Sequence, residues 1–213
     1  MQPYSGDSKF PVWLIADSEP KNWHTLLLTP LDPRHPARHN IWTSVLEYMQ
    51  EVLYKQKRLR FDAARLYIRN AVTDPDEKPK SVELNWSQGL QDKIDALRTN
   101  LRNMSPKVIL TFGAFGFEFV RRALDEQPIY PYSHWSTLRL GKEFKERLAL
   151  YHVSITNLLP LLHVSISRGR FLESHKYFVG EKTKESPNYF EYVGNKLAEL
   201  FLQQLVSEPI WVH

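Results

Sequence analysis

Residues 107–112 read KVILTF, and the letters GAFG follow directly at 113–116. A short and almost continuous apolar run of this kind is typical of a strand that is buried on both faces. The small residues after it allow the next segment, a predicted helix over 113–124, to pack closely against the strand. This junction of a buried strand and a helix predicts an α/β fold.

Three further strand-like runs support the same fold. They are 10–16 (FPVWLIA), 65–69 (RLYIR) and 157–162 (NLLPLL), and a further short strand is expected at 151–155. Helical periodicity lies between and after these runs, in segments at 41–57, 85–104, 142–150 and 188–206. Strands that alternate with helices predict a parallel sheet covered by helices. We expect one domain over residues 1–213.

Composition limits the class of protein. The chain has 213 residues, 42% of them hydrophobic, and a net charge of +4, which is compatible with a polyanionic partner. It has no cysteine, which excludes disulfides, thiolate metal sites and cysteine-bound iron–sulfur clusters. No apolar stretch approaches the roughly 18 residues of a membrane span, and the first ten residues lack the regions of a signal peptide. We therefore expect a soluble cytoplasmic protein with no membrane partner.

Polar residues follow each strand-like run. Asp17 and Glu19 follow the first run, Asn70 the second, and His163 the last. Because parallel strands end at the same edge of a sheet, these side chains are expected to meet in one cleft. That edge is where open α/β sheets hold their ligands.

These residue types suit one kind of chemistry. A carboxylate such as Glu19 can orient water or stabilise a developing cation. The amide of Asn70 can read the edge of a base, and a neutral His163 can donate to a departing anion. Plainer interpretations stay open: loop carboxylates are often solvated, Asn70 suits a turn, and His163 suits a core.

The segment after His163 is rich in hydroxyls and cations. Ser165, Ser167, Arg168 and Arg170 together suit contacts to a phosphate backbone. The alternative is a solvated basic turn.

A metal site is the main competing hypothesis. Asp32, His35 and His39 combine an acid with a His-x-x-x-His spacing, which on a helix would place both imidazoles on one face. Pro33 and Pro36 disfavour a helix there. A metal-dependent hydrolase is therefore kept as an alternative.

The order of these motifs resembles the uracil-DNA glycosylase superfamily over nearly the whole chain. In that family a strand leads to a Gly-Gln-Asp-Pro-Tyr type motif, where this chain has DSEPK at 17–21. A second strand ends in an Asn that reads the base, as in YIRNAV at 67–72. Trp86 and the strand VILTFG at 108–113 are similar to the next family elements. The sequence HVSISRG at 163–169 is similar to the family's final His motif.

The resemblance implies a fold and a reaction. The fold would be three-layer α/β/α with a central four-stranded parallel sheet in the order 2-1-3-4. The reaction would be removal of a damaged or deaminated, uracil-type base that has been flipped out of DNA. Glu19 or Asp17 would position the water and stabilise charge on the sugar, and His163 would stabilise the leaving base. No cofactor and no metal are implied.

The remaining roles follow from the same resemblance. Asn70 would bind the base, and Trp42 or Trp23 would stack on it. Ser165, Ser167, Arg168 and Arg170 would contact the DNA backbone, with Ile166 or Phe171 as a wedge. The partner would be DNA or a nucleotide, and the chain is expected to be a monomer.

Two departures from the family pattern keep a second alternative open. Glu19 stands where the family has a water-activating Asp, and Lys21 replaces a Tyr that would exclude thymine. A catalytically inactive nucleic-acid or nucleotide-binding protein of the same fold is the hypothesis that these departures favour.

Overall fold

A computed structural model of the chain describes residues 3–19, 27–32, 34, 38, 42–163, 167–180 and 188–212. It contains one mixed sheet of five strands. The strands are β1 (Tyr4–Ser5), β2 (Val12–Ala16), β3 (Tyr67–Asn70), β4 (Val108–Phe112) and β5 (Asn157–Leu161). Their order across the sheet is β1-β3-β2-β4-β5. All residues of β2, β4 and β5 are buried, as their apolar sequences predict.

The pairing of the strands fixes which ends lie together. Strand β2 runs parallel to both β3 and β4, and β5 runs parallel to β4. Strand β1 pairs antiparallel with β3, so the expectation of a wholly parallel four-stranded sheet is corrected to a mixed five-stranded one. β1 has only two residues, which is too short for an alternating pattern to predict.

The described residues form six α-helices. They are α1 (Ser44–Lys57), α2 (Gln88–Met104), α3 (Gly113–Ala123), α4 (Thr137–Ala149), α5 (Ser167–Val179) and α6 (Tyr189–Gln204). Ser87 caps α2, which lies within the segment 85–104 predicted to be helical, because its hydroxyl accepts a hydrogen bond from the backbone N–H of Leu90. Asn188 likewise caps α6.

Helix packing surrounds a large aromatic and aliphatic core. Helix α3 lies against β2, β4 and β5, α4 lies against β5 and α5, and α1 packs along α6. The approach of α1 and α6 is close because a Cβ atom on Gly194 would lie 2.8 Å from the backbone oxygen of Val45. Gly194 is therefore required by this helix contact.

Two segments differ from expectation. Residues 151–155 form a turn, since Asn157 holds them with its side chain: Nδ2 donates to the carbonyls of His152 and Ile155, each at 2.8 Å. The expected strand there is therefore wrong. Helix α5 was not predicted, because its first residues, SRGR, read as a basic turn.

In the described ranges no helix is both long and apolar enough to cross a membrane.

Candidate functional site

The carboxyl ends of the parallel strands form one edge, which we call the carboxyl edge. Strand registers define it: Ala16 at the end of β2 lies opposite Asn70 at the end of β3, and Phe112 at the end of β4 lies opposite Leu161. The predicted polar residues Asp17, Glu19, Asn70 and His163 all follow or occupy these ends. The registers place these four residues at one edge of the sheet.

The β2–β3 half of the edge is held by backbone hydrogen bonds beyond the strands. The N–H of Ala71 donates to the carbonyl of Ala16 at 2.8 Å, and the N–H of Val72 donates to that of Asp17 at 3.3 Å. Asn70 is thus fixed beside the chain that leads to Glu19. Both Asn70 and Glu19 are buried.

The β4–β5 half of the edge brings a glycine against His163. Gly113 has φ +81°, a left-handed conformation, and a Cβ atom placed on it would lie 2.8 Å from the Cβ of His163. Glycine is therefore required at 113 by both its conformation and its neighbour. The segment before His163 is anchored by Tyr189, whose hydroxyl accepts the N–H of Leu162 at 2.9 Å.

His163 is half-buried, and its surroundings favour the neutral imidazole. Burial lowers the pKa of His163 below its ordinary value, and the positive charge of Lys78 lowers it further. The carboxylate of Asp17 acts in the opposite direction, and burial is the largest of the three effects. At neutral pH the ring therefore has one N–H to donate and one nitrogen that can accept.

Lys78 is a site residue that the sequence did not reveal. Its Nζ donates to Oδ2 of Asp17 at 3.0 Å and lies 5.5 Å from the centre of the Phe115 ring. The other oxygen of Asp17, Oδ1, is buried and accepts no hydrogen bond from any residue in the described ranges. Lys78 follows a short 3₁₀ helix, Pro75–Glu77, in a loop that reads only as exposed and charged.

Tyr132 is a second residue missed by the sequence. Its pKa is raised by burial and by the charges of Asp17 and Glu83, and its hydroxyl group donates to the carbonyl of Pro79 at 3.3 Å. Its ring contacts that of Phe115 edge-on, with the centres 5.5 Å apart. Tyr132 is half-buried, so part of its ring remains open to solvent.

The position of Trp42 does not suit the base-stacking role expected of it, because the side chain lies in the core. Only 1% of its surface is exposed, and it meets the buried Phe112 edge-on at 6.4 Å. A base could stack on Trp42 only if core side chains moved. Trp23, the other expected stacking residue, lies outside the described residues, and so does Ser165.

The expected DNA-contact residues lie at the start of α5. Ser167, Arg168 and Arg170 belong to its first turn, four to seven residues after His163 along the chain, and their side chains lie outside the described part. Ile166 and the side chain of Phe171 also lie outside the described part.

The carboxylate of the hypothetical metal site, Asp32, is already engaged by an arginine. Asp32 is buried and binds Arg34 through both oxygens, at 2.9 Å to Nε and 2.7 Å to Nη2. These hydrogen bonds hold the pKa of Asp32 well below its ordinary range. Within the described ranges no group of three or more His, Asp or Glu side chains could hold a metal ion, and His35 and His39 lie outside those ranges.

Comparison with known proteins gives no relative from which a role could be transferred: no family model matches the chain, and no curated protein is significantly similar to it.

Proposed function

We propose that this chain is a DNA glycosylase-like enzyme that hydrolyses the N-glycosidic bond of a flipped-out damaged or deaminated base. One observation carries the proposal. Two carboxylates, the Asn70 amide and a predominantly neutral His163 lie at the carboxyl edge of one sheet, within a few residues of the strand ends. Such an edge is the usual ligand site of an open α/β sheet.

Glu19 is the residue assigned to the water. As the base leaves, C1′ of the sugar becomes cationic, and a buried carboxylate stabilises that charge more strongly than it stabilises the substrate. Glu19 accepts a proton from the attacking water while the oxygen of that water bonds to C1′. Asp17 is the weaker choice for this role, because one of its oxygens is held by Lys78.

His163 is assigned to the departing base. The electron pair of the broken bond goes to the base, which leaves as an anion before it takes a proton. A neutral imidazole donates its N–H to that anion, and the depressed pKa of His163 favours this form. The Asp17 carboxylate would stabilise a cationic imidazole already in the substrate complex, before the base developed any negative charge.

Asn70 is assigned to base recognition. Its side chain offers one acceptor and two donors, which can pair with the edge of a pyrimidine or a deaminated purine. Tyr132 is half-buried and contacts Phe115, the ring that Lys78 also contacts, and it takes the stacking role that the resemblance implies for Trp42 or Trp23.

A three-layer α/β/α arrangement of the uracil-DNA glycosylase type belongs to the same proposal. Its support is the strand order β3-β2-β4-β5 with parallel pairs, which corresponds to the order 2-1-3-4 of the predicted strands. The added β1 extends the sheet beside β3.

A non-catalytic nucleic-acid or nucleotide-binding protein is the second candidate. The observation that favours it is the ion pair between Lys78 and Asp17, which neutralises a carboxylate and brings a cation to the site. A cation at this edge suits a phosphate as well as it suits catalysis.

An excision assay separates the two candidates. Duplex and single-stranded oligonucleotides that contain uracil, hypoxanthine, xanthine or a mismatch are incubated with the protein and treated with alkali, which cleaves at abasic sites. We expect cleavage with wild-type protein and its loss in His163→Ala, with His152→Ala as a control on an exposed histidine. Binding without cleavage on every substrate would favour the second candidate.

A further inference from the structure

The pair formed by Lys78 and Asp17 is unlike the other lysine–carboxylate pairs in the described ranges. The side chain of Lys78 is 24% exposed, whereas the side chains of Lys93 and Lys196 in comparable pairs are each 38% exposed. Lys78 also joins residues 61 positions apart in sequence, and the charges of both partners act on His163. The Lys78–Asp17 ion pair lies at the candidate site, whereas the pairs of Lys93 and Lys196 lie on the surfaces of helices.

The amine of Lys78 is held in place yet reachable. Its backbone N–H caps the 3₁₀ helix by donating to the carbonyl of Pro75 at 3.3 Å, and its Nζ lies above the Phe115 ring. The side chain of Lys78 as a whole remains 24% exposed. A fixed amine beside a proton acceptor is the arrangement that imine chemistry with an aldehyde needs.

We propose that Lys78 gives this protein a second activity, cleavage of DNA at abasic sites through a Schiff base, with Asp17 as its proton carrier. The inference rests on the proposed function, because removal of a base leaves a sugar that opens to an aldehyde at C1′. The substrate class is therefore the abasic deoxyribose of DNA, in the same site.

The step balances with water as its only co-reactant. Asp17 takes a proton from Lys78, and the neutral Nζ adds to the C1′ carbonyl. Asp17 returns that proton to the resulting hydroxyl, which leaves as water and gives a protonated imine. Asp17 then removes a proton from C2′, the C3′–O bond breaks with its electron pair on the 3′-phosphate, and Asp17 passes that proton to the departing phosphate. Water hydrolyses the imine, which releases an unsaturated aldehyde and restores the amine.

The two oxygens of Asp17 suit this sequence of proton transfers. Oδ2 holds the amine at 3.0 Å, and Oδ1 accepts no hydrogen bond from the described residues although it is buried. Asp17 can therefore take up a proton from Nζ on Oδ2 without breaking a hydrogen bond to Oδ1. A purely structural ion pair would gain more stability from a partner on Oδ1.

Borohydride trapping on DNA with a preformed abasic site tests the proposal without depending on base removal. Borohydride reduces an imine to a stable covalent bond, so the wild-type protein is expected to become cross-linked to the oligonucleotide. In parallel reactions without borohydride, the wild-type protein is expected to nick the strand at the abasic site. Lys78→Arg keeps a cation for Asp17 but cannot form the imine, and we expect it to lose at least about tenfold of both signals. Lys93→Arg is the matched control and should behave as wild type.

The outcomes are distinguishable from those of the excision assay. Peptide mapping of the wild-type cross-link should locate the modified residue at Lys78, which removes any dependence on how well the variant folds. Absence of a cross-link, mapping to another lysine, or undiminished trapping in Lys78→Arg would each overturn the lyase activity. Failure to release a base from uracil or hypoxanthine DNA would overturn the glycosylase proposal alone.

Discussion

Gly113 and His163 lie so close that a Cβ atom on Gly113 would stand 2.8 Å from the Cβ of His163. The glycine directly follows β4 and opens α3, and the histidine follows β5. Their contact couples the strand–helix junction, the clearest feature of the sequence, to the residue assigned to the leaving base. The position of the imidazole therefore depends on the absence of a side chain at 113.

Substitution of Gly113 by alanine tests this coupling. The left-handed φ and the contact with His163 together should destabilise the fold by about 1–3 kcal/mol. The displaced imidazole should also slow base removal more than it weakens DNA binding. Thermal unfolding and single-turnover kinetics measure the two effects.

Gly89→Ala is the matched control for Gly113→Ala. Gly89 lies in the first turn of α2, and a Cβ atom there would have nothing within 4 Å. Its substitution should leave stability unchanged or raise it slightly. Equal behaviour of the two variants would contradict the role given to the Gly113–His163 contact.

Glu118 should be the most sensitive charged position for stability. It is fully buried in α3, where its carboxylate accepts from Arg121 at 2.8 Å, Arg122 at 3.1 Å and Trp135 at 2.7 Å. Glu118→Ala would leave the buried guanidinium of Arg122 without its anion and that of Arg121 with Glu126 alone. We expect the free energy of unfolding to fall by about 3–5 kcal/mol in denaturant titrations. Glu146→Ala, at an exposed pair with Lys142, should change it by less than about 1 kcal/mol.

Acid should destabilise the fold through a buried histidine of α5. His175 packs beside Tyr189, and burial lowers its pKa from 6.5 to about 4. The unfolded chain therefore takes up a proton at a higher pH than the folded one. This stabilising contribution is complete above pH 6.5 and is lost as the pH falls toward 4.

Denaturant titrations between pH 7 and pH 4 measure the effect. The loss for wild type that is due to His175 should be on the order of 2 kcal/mol, and His175→Gln should flatten the profile by that amount. His152→Gln, at an exposed position, should leave the profile as it is in wild type. A profile that His175→Gln does not alter would contradict the assignment.

Glu19→Gln should separate chemistry from binding. The amide keeps the shape of the buried side chain but removes the charge that stabilises a cationic sugar, so single-turnover excision should slow by about 10²–10³-fold. The dissociation constant for substrate DNA should stay within about threefold of wild type, since the charge matters little in the ground state. Glu77→Gln, at a surface pair with Lys93, serves as control.

Asn70→Ala should act on specificity instead. Its amide is assigned to the edge of the intact base, so its removal should reduce discrimination between the preferred base and its competitors by roughly 10–100-fold. The ratio of kcat/KM values for two competing oligonucleotides measures this. Asn100→Ala, on the exposed face of α2, should leave the ratio unchanged.

Much of the fold could be predicted because its strands are short, apolar and doubly buried. The prediction of a strand over 107–112 is confirmed by β4, Val108–Phe112, and the helix boundaries near Ser87 and Asn188 are confirmed by their caps. Local signals of this kind are carried by neighbouring residues. The antiparallel β1 has no such signal, because only its pairing with β3 makes it a strand.

The site was predictable only where it is tied to a strand end. Asp17, Asn70 and His163 could be placed together because parallel strands end at one edge. Lys78 and Tyr132 could not, since both lie in loops whose paths are fixed by distant contacts. The hydrogen bond from the hydroxyl of Tyr132 to the carbonyl of Pro79, across 53 residues, is one such contact.

Free-base release is the most direct measurement of the central claim. Duplex oligonucleotides that carry uracil, hypoxanthine or xanthine are incubated with an excess of wild-type protein or of the Glu19→Gln variant. The small molecules that are released are identified by mass spectrometry. We predict stoichiometric release of one intact base by wild type, and release by Glu19→Gln that is slower by about 10²–10³-fold. Release of no base from any substrate, or equal rates for the two proteins, would contradict the account.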